Sequence, residues 1–289
     1  MKNAIEVKNL TKKYKNLASK RDGFLLDNVS FDVPSGYICG FIGQNGAGKT
    51  TVLKLMLGIV LKDSGEVEIL GKTDSDHTTK EKLGVLFEHP HFQEEWTAID
   101  VEKALQLFFP AWNTEVYHQY LHKFSINPRQ KFKKMSRGTK MRLGLAATFS
   151  HNADLIILDE PTAGLDPVAR DLVLDIMREY MTQENKTIFF STHITGDLEK
   201  IADYIVYIDD GRIIFSGIKD ELIEKYCLIR GGSGDLPPAK RDSIIGLREH
   251  VGGFDGMIMI KDLNGFPPAV ITEVATLEDI MIYVARRKT

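Results

Sequence analysis

Nine residues, GQNGAGKTT from Gly43 to Thr51, follow the apolar run YICGFI and precede the helical run VLKLML. This is the pattern G-x-x-x-x-G-K-[ST] in the strand–loop–helix setting that gives it meaning. Glycines at 43, 46 and 48 let backbone N–H groups turn inward without Cβ clashes. Gln44, Asn45, Ala47 and Thr51 complete the loop. A helix beginning near Lys49 points its positive end at the same spot. Such a loop cradles the phosphates of a nucleoside triphosphate, with Lys49 reaching the β- and γ-phosphates and the Thr50 hydroxyl ligating Mg²⁺. A chance glycine-rich turn with a stray lysine would not bring both flanking elements with it.

A second segment, DLIILDEPTAGLD, supplies the matching carboxylates. Leu155 to Leu158 read as a buried strand whose end presents Asp159 and Glu160. Side chains alternate along a strand, so the two acids take different tasks. Asp159 suits the hold on Mg²⁺, and Glu160 suits polarising an attacking water. TIFFSTH repeats the design: an apolar strand ends in His193, within reach of the γ-phosphate.

The chain of 289 residues accommodates one large core plus an appendage. Short apolar runs alternate with helical patterns, which favours a largely parallel sheet. Strands are expected at AIEV, VSFDV, YICGFIG, EVEIL, LGVLFE, DLIILD, TIFFST and DYIVYID. Helices are expected to begin near Lys49, Ala98, Thr114, Ser136, Pro167 and Thr195. From Ala98 to Arg129 no strand pattern intervenes, which reads as a helical insertion carrying Phe108, Phe109 and Trp112. GGSGDLPP, from Gly231 to Pro238, breaks every periodicity and is taken as a domain boundary, giving domains over 1–230 and 231–289 with a helical subdomain at about 98–150. In the tail, MIMIKD is strand-like and TLEDIMIYVARR amphipathic, with Thr276 and Asp279 fitting a helix start only loosely.

A net charge of -3, with 37 basic and 40 acidic residues, argues against nucleic acid as a partner. The two cysteines, Cys39 and Cys227, have no paired-ligand spacing and are expected as plain thiols in a reducing cytosol. The start, MKNAIEVKNL, lacks an apolar signal region, and no run approaches the roughly 18 apolar residues of a membrane helix. Any membrane role is therefore expected to pass through a partner chain.

One basic stretch remains, FKKMSRGTKMRL from Phe132 to Leu143. Within it MSRGT opens a helix just before the acidic strand. With the phosphate loop, this order resembles the ATP-binding subunits of ABC transporters over about residues 3 to 225. Ser136 and Gly138 match the family marker LSGGQ, while Met135, Arg137 and Thr139 depart from it. The resemblance implies an α/β P-loop NTPase (RecA-like) core with an antiparallel β subdomain and a helical insertion, followed by a small α+β extension. It implies ATP and Mg²⁺ as ligands and head-to-tail pairing with a second nucleotide-binding domain, identical or a paralogue. Ser136 and Gly138 would then cap the γ-phosphate of the opposing site, a use suited to a serine N-cap at a helix N-terminus. Tyr14 in LTKKY is placed like the aromatic that stacks on adenine, and Asp166 ends the loop that communicates across the dimer.

Where the family places glutamine after the strand LGVLF, this chain has Glu88, which can still ligate Mg²⁺ through oxygen but also brings negative charge beside the phosphates. The neighbouring His89 and His91 lack further metal ligands and read as loop residues. Glu88, the S-R-G marker and the TLEDIM tail resemble the ABC-2-type exporters that expel peptides, including antibiotic and toxin peptides, from Gram-positive bacteria. That implies an ATPase at the cytoplasmic face of the membrane, bound to an integral permease through the helical insertion. The alternative is a soluble ABC-type ATPase switch, or a weakly hydrolysing regulatory subunit.

Overall fold

The structure, a computed structural model, describes residues 2–14, 24–73 and 77–286. It divides into two units between Ser216 and Gly217. The first unit begins with β1 (Asn3–Lys13), β2 (Leu25–Pro34), β3 (Ile38–Ile42) and α1 (Lys49–Met56). It continues through β4 (Ser64–Ile69), β5 (Lys72–Thr73), β6 (Leu83–Leu86), α2 (Ala98–Leu105), α3 (Thr114–Lys123) and α4 (Arg137–Ser150). Then come β7 (Leu155–Asp159), α5 (Pro167–Met181), β8 (Thr187–Thr192), α6 (Thr195–Ile201), β9 (Tyr204–Asp209) and β10 (Arg212–Ile218). Every helix start expected from the sequence is found within one residue; α1 is marked by the phosphate loop and α2, α3, α4 and α5 by side-chain caps.

Two sheets share the core of this unit. One, in the order β2-β1-β4-β5, is antiparallel; the other runs β10-β9-β3-β8-β7-β6, with β9, β3, β8, β7 and β6 parallel. The central parallel strands β3, β7 and β8 are buried along their whole length, as both faces are covered. Phe31 of β2 stacks on Phe41 of β3 and Phe189 of β8 at 5.7 and 5.8 Å between ring centres, joining the sheets. The register aligns Ile42 with Thr192, Asp159 with Ser191 and Leu86 with Leu158. Gly43, Glu88, Glu160 and His193, each just past the end of its strand, therefore emerge at one edge, where open parallel sheets take ligands.

The expected helical insertion is α2 and α3, both packed on α4. Thr97 and Asp100 cap α2 reciprocally, and Tyr117 is fully buried with its hydroxyl on Ala98 O at 3.0 Å. The three aromatics divide: Phe109 stacks on His151 at 4.1 Å, Trp112 packs on Tyr117 at 5.1 Å, and Phe108 is 70% exposed.

The second unit holds α7 (Lys219–Ile223), β11 (Tyr226–Gly231), β12 (Ile245–His250), β13 (Gly253–Met259), β14 (Ile271–Val274) and α8 (Leu277–Arg286). Its antiparallel sheet, ordered β12-β13-β11-β14, packs Cys227, Ile229, Ile244, Phe254 and Ile258 into a small core of its own. The boundary expected at Gly231 is displaced accordingly. β11 pairs on both sides within this sheet, so GGSGDLPP is a loop inside the second unit rather than a linker ahead of it. Thr276 and Asp279, a loose helix signal in sequence, form a full reciprocal cap on α8, with Thr276 N to Asp279 Oδ2 at 3.0 Å and Asp279 N to Thr276 Oγ1 at 3.1 Å. Cys39 and Cys227 are buried free thiols.

Candidate functional site

The phosphate loop folds around an open cleft of about 600 Å³. Gln44, Asn45, Gly46, Gly48, Lys49, Thr50 and Thr51 line it from the loop; Glu88, Glu160, Ala163 and His193 line it from the strand ends, and Phe24 from the antiparallel side. Two glycines are required by geometry. Gly48 caps α1 at φ 109°, and a Cβ there would lie 2.8 Å from both Leu26 and Phe24. A Cβ on Gly43 would stand 2.5 Å from Ile208 O. Ala47 is buried behind the loop, its carbonyl accepting from Gly211 N at 3.1 Å.

Lys49 is only 6% exposed, and its ammonium has acidic and carbonyl neighbours: Gly43 O at 2.7 Å and Glu160 Oε1 at 3.2 Å. The other oxygen of Glu160 accepts from His193 Nδ1 at 2.8 Å. That bond places the imidazole proton on Nδ1 and leaves Nε2 as the second hydrogen-bonding atom of the ring. Glu160 itself holds a left-handed backbone, φ 50°, which costs about 1–3 kcal/mol for a non-glycine residue. Its N–H, shared between Ser191 O and Ser191 Oγ at 3.1 Å each, fixes the turn that aims the carboxylate at the loop.

Asp159 lies one residue earlier, 2% exposed, and accepts from Thr50 Oγ1 at 2.8 Å and from Ser191 Oγ at 2.5 Å. Burial pushes its pKa upward; the two hydroxyl bonds oppose that, and the charges of Glu160 and Glu88 add to it. A buried acid so placed gains from a cation. The pair Thr50 and Asp159 consists of hard oxygen donors of the kind Mg²⁺ takes, and Mg²⁺ usually binds through one or two protein groups plus phosphates. Among the described residues no group of three or more His, Cys, Asp or Glu is arranged to hold a metal alone.

The remaining sequence candidates lie elsewhere. Ser136 is the N-cap of α4, its Oγ accepting from Thr139 N at 3.1 Å, and Gly138 follows on the first turn. Neither lines the cleft of its own chain. Asp166 caps α5 through Val168 N and Ala169 N at 3.1 and 3.0 Å, and these N–H bonds, that of Ala169 foremost, hold its carboxyl below the usual range. Tyr14 is also outside the cleft wall, joined to Phe24 by a backbone bond of 2.9 Å from Tyr14 N to Phe24 O. Glu88 does line the cleft, yet its Oε1 accepts from Arg137 Nη2 at 2.6 Å.

The basic stretch is largely occupied within the chain. Lys133 pairs with Glu95, Lys140 lies 4.6 Å over the Phe132 ring, and Arg142 donates to Phe124 O at 3.0 Å. Three contributors escaped sequence reading: Phe24, Ser191 and the fully buried Asp197. Asp197 accepts from Thr162 Oγ1 at 2.6 Å and Arg170 Nε at 2.5 Å, tying the segment after Glu160 to the helix after His193.

A family model described as "ABC transporter" matches residues 26–163. The bacitracin transport ATP-binding protein BcrA of Enterococcus faecalis is 32% identical over 74% of this chain and 69% of its own length. The lantibiotic transport ATP-binding protein SrtF of Streptococcus pyogenes is 33% identical over 73% of this chain and 89% of its own. The chain belongs to the ABC transporter family. Among solved structures, an ATP-binding subunit of an ABC transporter superposes with a TM-score of 0.67 at 27% identity, covering 76% of this chain and 91% of that one. This ABC protein is an ATP-binding and ATP-hydrolysing subunit.

Proposed function

We propose that this subunit powers the export of a peptide or antimicrobial compound through an integral membrane permease, by ATP-driven closure of two nucleotide-binding domains packed head to tail. The observation that carries the proposal is the split of the machinery. Lys49, Thr50, Asp159, Glu160 and His193 converge on one cleft, whereas Ser136 and Gly138 sit on an exposed helix start outside it. A helix N-terminus with a serine cap is an anion site, and here it would serve the triphosphate of a second chain. Substrate class is taken from the relatives, which are named for bacitracin and lantibiotic transport. The same names leave the soluble switch and the regulatory subunit less favoured.

Within the cleft, the triphosphate would draw the Lys49 ammonium from Glu160 toward the β- and γ-phosphates. Glu160 would then be free to accept a proton from the attacking water, still oriented by His193 Nδ1–H, a bond that also keeps the imidazole ring beside the γ-phosphate. Thr50 and Asp159 would hold Mg²⁺, which when bound supplies charge neutralisation at the phosphate oxygens. Ser191 keeps Asp159 and the turn at Glu160 in register. Phe24 and Tyr14 would flank the adenine. Asp166, at the head of α5, would meet the partner domain.

Among the described residues no helix is long and apolar enough to cross a membrane. The permease would dock on the helical insertion, where Leu107 and Phe108 are 83% and 70% exposed, beside an apolar groove lined by Met56, Leu57, Ile59 and Phe109. That docking would hold the chain at the cytoplasmic face. A photo-crosslinker at position 108, tested in membranes of the native host, should capture a polytopic membrane protein. The same crosslinker on exposed Val251 of the second unit should not. Equal capture at both sites, or none at 108, contradicts the docking.

A further inference from the structure

Two residues 49 positions apart meet at the edge of the nucleotide cleft: Arg137 Nη2 donates to Glu88 Oε1 at 2.6 Å. Arg137 is the first residue of α4, and Glu88 follows the end of β6. Glu88 forms a wall common to the nucleotide cleft and to a neighbouring cavity of about 350 Å³, and Arg137 lines only the latter. The guanidinium thus approaches Glu88 from behind, away from the phosphate loop. It also passes about 4 Å from the point where a Cβ on Gly164 would lie, in the segment between Glu160 and Asp166. Lys140, the other cation of that cavity, is engaged over the Phe132 ring.

Glu88 lines the same cleft as Lys49, Thr50 and Glu160, so its charge acts on whatever anion the phosphate loop holds. An uncompensated carboxylate there opposes a triphosphate. We infer that Arg137 is a positioning residue that neutralises Glu88 from behind and ties the loop after β6 to the start of α4, so that a glutamate is tolerated beside the phosphates. This rests on the reading of the cleft as the ATP site. The pair is 57% and 38% exposed, so it contributes little to folding. Its effect is electrostatic and lies on anion binding.

The test is a double-mutant cycle on the full chain, read as the affinity for ATP in EDTA, with no divalent metal, at low ionic strength. Arg137→Gln, which strands the Glu88 charge, should weaken binding about three- to tenfold. Arg137→Lys should stay within about twofold of the parent, and Glu88→Gln should bind as well as the parent or better. The double variant Glu88→Gln/Arg137→Gln should return to within about twofold. At about 1 M salt the differences should collapse, while melting temperatures stay close throughout. A double variant as weak as Arg137→Gln would mean that the arginine attracts phosphate directly, and would overturn the inference. So would an Arg137→Gln protein that binds like the parent. A parent chain that binds no ATP at all would instead refute the nucleotide site itself.

Discussion

The ammonium of Lys49 stands 3.2 Å from Glu160 Oε1, with both side chains over nine-tenths buried, so the residue that would grip phosphate also neutralises the proposed catalytic base. The pairing has two consequences, one for stability and one for chemistry. Removing the lysine leaves a buried carboxylate with His193 as its remaining side-chain partner. Lys49→Ala should therefore lower unfolding free energy by about 3 kcal/mol as well as weaken nucleotide binding. Glu160→Gln keeps an oxygen for Lys49, and the imidazole can change tautomer to accept from the new amide, so its cost should stay below about 1 kcal/mol. Urea titrations of the two variants should separate them in that order. A Lys49→Ala cost below about 1 kcal/mol would show that the ion pair has no structural weight.

Asp159 offers a prediction about pH. Burial raises its pKa in the folded chain above the value of 3.8 usual for the unfolded one. A raised acid contributes stability that is complete below the unfolded pKa and is lost as pH rises through the folded pKa. At neutral pH its charge is thus a burden to the fold. Asp159→Asn should be more resistant to urea than the parent at pH 7.5 in metal-free buffer, and the advantage should shrink as pH is lowered toward 4. A variant less stable than the parent at pH 7.5 contradicts this account of the buried charge.

Adenine recognition separates two aromatics. Phe24 lines the cleft and lies against Gly48, whereas Tyr14 is bonded to it only through the backbone and lies outside the wall. Stacking on a base is worth about 1–3 kcal/mol, so Phe24→Ala should weaken ATP binding by about tenfold or more. Tyr14→Ala should weaken it less. Fluorescence titrations with a labelled ATP would show the order, and a larger loss at Tyr14 would restore the assignment made from sequence.

The phosphate loop, the acidic strand end and all the helix starts of the first unit were legible because each is encoded within about ten consecutive residues. GQNGAGKTT, Thr97 with Asp100, and Asp166 before Pro167 carry their geometry locally. Ser191 was hidden inside an apolar strand, and only the register of β7 against β8 puts its hydroxyl on Asp159. Phe24 and Asp197 gain their roles in the same way, through neighbours far away in the chain. In the second unit the end of β13 was legible in MIMIKD, but its other short strands escaped for a different reason. The sheet β12-β13-β11-β14 has exposed outer strands, and all four residues of β14 face solvent, so no alternation marks them. The GGSGDLPP break was real, but punctuation alone does not say on which side of a boundary a strand will pair.

Glu160→Gln should bind ATP yet stall before hydrolysis, which makes the proposed head-to-tail closure directly observable. The purified variant, with saturating Mg-ATP, should elute in light-scattering chromatography as a particle of twice the 32.5 kDa chain mass. The added change Ser136→Arg, which puts a bulky side chain at the exposed start of α4, should return it to a single chain. A Glu160→Gln protein that binds Mg-ATP but remains a monomer, or a dimer indifferent to position 136, would contradict the shared site.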